Sequence, residues 1–307
     1  MSEPGTQLEP PSLKATGLGR RRLLMSRVAE GAAVGAAALA IGVLGVVVVS
    51  VFIRALPALS FHFFTEGPKF DEFGRLSGGI APAIVGTLML VAIASLISVP
   101  LGVLTALWVS EFAPKRLGDQ IKLYLDILNG FPSIVIGIFV YGLLVTSKVP
   151  ILTFGGRPSA WAGGFALSIV MLPLVSRTTM EVLSLVPNSL REASYALGVS
   201  KWRTVLSIVL PTAIGGIMTG TTLAIARAAG ETAPLLFVCA ATTQTITWDP
   251  SQAVSSIPFT IFSDYDQAGG QAVAWGAAFT LIVLVLVSSL TSRYFLDRSR
   301  RKLGAVK

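Results

Sequence analysis

Arg227 and Glu231 stand four residues apart in a stretch that is otherwise apolar from Thr204 to about Thr243. An ionisable side chain near the centre of a bilayer costs about 2.5–3.5 kcal/mol on insertion scales, so a pair in such a run marks a site. The four-residue spacing predicts that both side chains lie on one helix face, within pairing distance. Two uses are open: an ion pair that braces helices, or a cation lining a path for an anion. Arginine suits the second, because its guanidinium stays charged and its fork matches the oxygens of an oxyanion. If the helix begins after Pro211, Arg227 lies about 22 Å along it at 1.5 Å per residue, past mid-membrane. A second candidate is Asn129-Gly130-Phe131-Pro132-Ser133. Pro132 removes a helical hydrogen bond, and freed backbone groups are tolerated in a membrane only where protein or a water-filled cavity covers them. Asn129 and Ser133 suit a pore lining, and a kink serving helix packing accounts for the same residues.

Other chemistries find no residues. The chain has one histidine, His62, and one cysteine, Cys239, which excludes multi-histidine metal centres, cysteine-based zinc sites and an internal disulfide framework. His62 reads as a loop residue and Cys239 as a small buried hydrophobe. No segment fits G-x-x-x-x-G-K-[ST], so no phosphate-cradling loop is present; if ATP drives this protein, another chain binds it. The spans carry no nucleophile–base pair, so a membrane enzyme is disfavoured, and the chain is expected to bring no metal or cofactor of its own.

The elements that would hold these residues are membrane helices. Charged residues are 13% of the 307 and hydrophobic ones 53%, against about 25% charged in a typical soluble protein. Charge-free runs predict six spans, against the roughly 20 residues a crossing needs, the second being longer than one straight crossing requires. They are Gly31–Ile53, Ile80–Ser110 (where Pro100 can kink or end the helix), Ile127–Ser147, Pro158–Ser176, Thr204–Ala226 continuing past Arg227 and Glu231, and Gln267–Ser292. The first run of 23 residues exceeds the roughly 7–15-residue core of a signal peptide and reads as a retained helix. With the N-terminus in the cytoplasm, eighteen of the 24 basic residues fall in inner segments and five in outer ones, so the positive-inside rule places both termini in the cytoplasm. The net charge of +8 therefore reads as membrane orientation. The expected organisation is a disordered basic tail (1–30), a transmembrane domain (31–292) with an inner loop at 177–203, and a basic tail (293–307). An outer segment from about Ala55 to Gly79 holds five phenylalanines and is expected to form a short surface helix. Gly155-Gly156-Arg157-Pro158 reads as a turn, and Gly216-x-x-x-Gly220 as close helix packing.

In the inner loop, Ser189-x-x-Glu192 has the form of a capping box. Gly198 is the expected stop of the short helix, Ser200 the expected cap of a second stretch to Leu210, and Pro211 follows. Ala193, Ala196 and Leu197 would be exposed there, against lipid or against a partner.

Glu192-Ala193-Ser194, then Gly198, then Ile208-Val209-Leu210-Pro211 resembles the E-A-A-x3-G-x9-I-x-L-P signature of bacterial ABC-importer permeases, with Ser194 at the second alanine. The run Ala226 to Leu235 is similar to the A-R-A-x-G-E-T-A-P-L stretch of phosphate-importer permeases. Gly78–Leu88, Asn129–Gly137 and Leu172–Thr179 look like that family too, and the G-E-T-A-P-L form resembles the PstA type more than its PstC partner. The resemblance implies an all-α, six-span, type I ABC-importer permease fold. It implies a coupling helix in which Glu192, Ala193, Ser194 and Gly198, with Leu210 and Pro211, serve an ATPase, and a phosphate path past Arg227, Glu231, Ser133 and Asn129. The partners implied are a second, PstC-like permease, two PstB-like ATPase subunits that hold the ATP and magnesium, and an extracytoplasmic PstS-like binding protein. The rivals are a permease for another oxyanion or an organic substrate, and a channel or secondary transporter independent of ATP.

Overall fold

The computed structural model describes residues 18–146, 157–239 and 244–304. The first part of the N-terminal tail, the end of the third apolar run and Gly155-Gly156 of the expected turn lie outside the described residues. The chain divides into two units, Met1–Val51 and Phe52–Lys307. The first is built on helix α1 (Leu18–Ala55). It is apolar all round from residue 31 to residue 53, the pattern of a helix surrounded by lipid or protein.

The second unit begins with the short helix α2 (Phe61–Thr65), N-capped by Ser60. An antiparallel hairpin not foreseen from the sequence follows, β1 (Pro68–Phe70) with β2 (Leu76–Gly78). Helix α3 (Ala81–Leu107) continues past Pro100 and ends in a π-helical turn, Trp108–Phe112. Pro100 therefore does not end the second span.

The third apolar run breaks at Pro132, where the sequence leads one to expect an interruption. Helix α4 (Lys115–Gly130) and helix α5 (Ser133–Val140, with a π turn at Tyr141–Val145) meet at 96°. A residue before proline is disfavoured in the α conformation. Phe131 and Pro132 accordingly take extended backbone, with ψ of 136° and 126°, and the chain turns there. Among the described residues five helices are long and apolar enough to cross a membrane, and a sixth crossing exists only if this bent pair counts as one.

Helix α6 (Ala160–Ser184) continues eight residues beyond the expected end at Ser176, so the first part of the 177–203 loop is helical. The loop then holds α7 (Asn188–Ala196) and α8 (Lys201–Thr204). A π turn at Val205–Val209 joins α8 to α9 (Leu210–Ala229). Pro211 sits in the first turn of α9, and the Leu210 N–H reaches back to Val205 O, so the helix loosens ahead of the ring that would otherwise clash. After α9 come α10 (Leu235–Val238), α11 (Ile257–Asp264) and α12 (Gly270–Gly304).

The largest interhelix seam joins α3 to α6, the next α6 to α9. Small residues bring these helices close. A methyl group at Gly102 would meet Val175 Cγ1 at 2.8 Å, and one at Gly220 would meet Thr178 Oγ1 at 2.5 Å. Gly216 faces Val182 in the same way, so Gly216-x-x-x-Gly220 is a packing motif. Three apolar clusters fill the bundle. One, around Phe63, Ile80, Ile257 and Ala277, lies where α3 and α12 begin. A central one contains Leu90, Leu167, Met171, Ala224 and Val238, and Cys239 is buried in it. The last, with Leu107, Leu125, Leu183, Val205 and Val209, lies where α3 and α6 end and α9 begins, beside α7. At the opposite end α11, unforeseen from sequence, is tied to α3 because the Ile257 N–H donates to the buried Thr87 hydroxyl at 2.9 Å.

Candidate functional site

Arg227 lies in the last turn of α9. The helix ends at Ala229, and the Gly230 N–H caps it onto the Arg227 carbonyl at 3.0 Å. Glu231 is therefore past the helix end, and the expectation that both charges share one helical face is corrected. Gly230 ends the helix early because glycine is a poor helix former, and Pro234, four residues on, caps the start of α10. The pair nevertheless forms across this end: Arg227 Nε lies 3.5 Å from Glu231 Oε1, with side chains 48% and 18% exposed. That is a loose contact through one nitrogen. Among the described residues the two Nη groups of Arg227 have no protein partner, so its fork is open to a further anion. A cation at this helix end is also favoured by the helix dipole.

Asn129 is exposed in the last turn of α4, and Ser133 is half-buried in the first turn of α5. No hydrogen bond or ion pair among the described residues joins either to Arg227 or Glu231. The two breaks are still linked by packing. Gly137, one turn beyond Ser133 on the same face, lies so close to the chain after Glu231 that an added methyl would come 2.6 Å from Pro234 O. The α4–α5 bend and the α9–α10 break thus abut through Gly137 and Pro234.

The inner loop forms a second candidate region at the other end of α9. Helix α7 starts at Asn188 after Pro187, and no side-chain cap bond is made, so the capping box of Ser189 and Glu192 does not form. Pro187 explains the earlier start, since its fixed φ suits a helix entry. Ser200 caps α8 with its backbone only: its carbonyl accepts from the Thr204 N–H at 3.0 Å. Gly198 does end the short helix, at φ +77°, a conformation open to glycine and costly for other residues. Glu192 and Ala193 are exposed, and so are Leu185 (80%) and Leu197 (83%). Ser194 is buried, and its hydroxyl lies 2.8 Å from that of Thr204. The one departure from the signature is thus absorbed by a partner hydroxyl. Leu210 is half-buried against the cluster of Val205 and Val209, while Pro211 is exposed.

Sequence reasoning missed two polar contacts here. Arg191 pairs with Glu111 at 2.7 Å, and Arg177 with Asp126 at 2.5 Å. Arg191 and Glu111 are 80 residues apart, and no spacing rule reaches that far. A glutamate at the end of an apolar run was the only signal.

The bundle, its broken span and the short helix between α6 and α9 have the architecture of a polytopic helical membrane protein. Residues 98–301 match the family described as binding-protein-dependent transport system inner membrane component. The chain is 38% identical over 80% of its length to the phosphate transport system permease protein PstA of Haemophilus influenzae, covering 85% of that protein. It is 40% identical over 74% of its length to PstA 1 of Mycobacterium tuberculosis, covering 73% of it. The chain belongs to this permease family, and among its relatives are the phosphate transport system permeases of the PstA type. Solved structures agree on the fold. A chain of a bacterial alginate ABC transporter superposes with a TM-score of 0.62 at 18% identity, covering 91% of this chain and 95% of that one. A chain of the inward-facing MetNI methionine ABC transporter gives 0.55 at 19% identity, covering 72% and 94%.

Proposed function

We propose that this chain is a permease subunit through which an ATP-driven importer moves inorganic phosphate across the cytoplasmic membrane. The observation that carries the reading is Arg227, held by a single loose contact to Glu231 at the end of α9, with its fork open. Phosphate at neutral pH carries between one and two negative charges, and an unpaired charge in a low-dielectric passage is very costly. The Arg227 guanidinium lowers that cost at one point, and Glu231 competes for the same cation, so that phosphate binds and also leaves. Asn129 and Ser133, at the bend that packs on Pro234, supply polar groups along the route. In this reading the chain supplies the path while a partner ATPase binds ATP and magnesium.

The excess of basic residues on one side supports a topology with both termini in the cytoplasm. Helix α7 then faces the cytoplasm and presents Glu192, Ala193 and Leu197 to the ATPase, with Gly198 setting the turn behind it. The remaining partners are a second permease and an extracytoplasmic binding protein that delivers phosphate to the other end. The test is phosphate uptake per assembled complex in Arg227→Ala. Abolished uptake with intact assembly is expected; normal uptake per complex would remove Arg227 from the path.

A further inference from the structure

Helix α7 has nine residues and leaves much of its surface exposed. What ties it to the bundle is polar, and it is tied on two sides. On one side the Arg191 Nη2 group donates to Glu111 Oε1 at 2.7 Å, with side chains only 15% and 6% exposed. The same guanidinium donates to the carbonyls of Val186 at 2.7 Å and Leu183 at 3.2 Å, and to Asn188 Oδ1 at 3.2 Å. Glu111 stands in the π turn Trp108–Phe112, which ends the α3 span. On the other side Ser194 meets the fully buried Thr204, the residue just before the π turn Val205–Val209 that opens the α9 span. Each anchor of α7 therefore abuts a π turn, an element that occurs in single turns and frequently at functional sites.

We propose that Glu111 is a positioning residue for transport: through Arg191 it carries displacement of α7 into α3, while Ser194 and Thr204 carry the same displacement into α9. The proposal rests on the reading of α7 as the helix that meets the ATPase. Apolar contacts permit sliding. A short, charge-assisted bond in a site with little water fixes register, and it leaves a costly unpaired charge when broken. Four bonds from one guanidinium make Arg191 the junction of α7, the end of α6 and α3. A displacement of α7 thus reaches α3 as a shift of its final turn, and it reaches Arg227 along α9.

The experiment uses the complete transporter in proteoliposomes, with second permease, ATPase and binding protein. It measures assembled complex, ATP hydrolysed and phosphate imported per ATP. Glu111→Gln and Arg191→Gln are expected to assemble and hydrolyse ATP near the wild-type rate, yet to import about tenfold less phosphate per ATP. Glu111→Asp, which keeps the carboxylate, should recover most of the loss. An unchanged ratio in Glu111→Gln would overturn the proposal. So would loss of assembled complex in Glu111→Gln and Glu111→Asp alike, since the pair would then be a brace. A wild-type complex that hydrolyses ATP without importing phosphate would instead sink the importer reading on which the proposal rests.

Discussion

At the scale of single residues, Arg227 separates two physical roles. If it serves the path, Arg227→Ala lowers uptake per complex by about a hundredfold, the size of effect that follows removal of one oxyanion-stabilising donor. Arg227→Lys keeps partial activity, because a point charge replaces a two-pronged fork. Glu231→Gln gives a milder defect with slower phosphate release, since the competitor for the cation has gone. If the pair only braces helices, Arg227→Ala reduces the amount of complex and the double change with Glu231→Ala restores it. Uptake and yield measured on the same preparations decide between these patterns. Asp264 makes a second prediction. It is 2% exposed at the end of α11, and burial pushes its carboxyl above the usual carboxylate range, offset in part by the Ser263 hydroxyl that donates to it at 2.7 Å. A raised carboxyl penalises folding once it ionises; that penalty is absent at low pH and grows as pH rises through its titration. Asp264→Asn should therefore raise thermal stability in detergent at pH 7 and remove the decline between acid and neutral pH. A lower melting temperature at pH 7 would contradict this. Arg227 was legible because it interrupts an apolar run. The burial of Asp264 was not, because an aspartate in a loop rich in polar residues reads as solvated.

At the scale of elements, α7 depends on how its chain turns afterward. A methyl group at Gly198 would meet nothing within 4 Å, so a side chain there is opposed by backbone conformation alone, at φ +77°. Gly198→Val should cost roughly 1–2 kcal/mol at the turn, misdirect the helix, and lower both ATPase co-purification and uptake. Glu192→Lys reverses the charge of an exposed position and should weaken ATPase association without affecting insertion. Wild-type values for both variants would remove this loop from coupling. The turn at Gly198 could be read from sequence because it depends on one residue type. The start of α7 was misread because Pro187 and Ser189 both offer an entry signal, and local spacing does not rank them. The bend between α4 and α5 was half legible. Pro132 announced a break, but an angle of 96° is set by what α5 packs against, and Pro234 is remote in sequence.

At the scale of the molecule, apolar runs carried most of the architecture. They outlined six spans, five of which are single long helices and one a bent pair, with ends in error by several residues where a helix continues past its membrane segment, as α6 does beyond Ser176. The hairpin Pro68–Gly78 and α11 were not foreseen, because short elements held by tertiary bonds, such as Ile257 on Thr87, have no period of their own. The orientation is testable by labelling. In a Cys239→Ala background, a cysteine at the exposed Asp266 should react with a membrane-impermeant reagent added outside intact cells, and one at the exposed Ser200 should not. The opposite pattern would invert the topology and with it the place of α7. Asp264, two residues earlier, is too buried to serve as the outer probe.

The close approach of Gly137 to Pro234 has a consequence for how the protein is made. Helix α5 is eight residues long and too short to cross a membrane as a helix in its own right. Its neighbour α6 is made soon after it, but the backbone that seats Gly137 belongs to a segment translated about a hundred residues later. At 5–20 residues per second of synthesis, that seat arrives roughly 5–20 s after α5 itself. The nascent chain thus holds a greasy, half-covered stub through the synthesis of α6, α7 and α9. The final bend is set only when the ribosome has passed Pro234. Assembly of this permease is out of order along its chain, and the α4–α5 segment waits unseated for an insertion chaperone to shield or a membrane protease to cut.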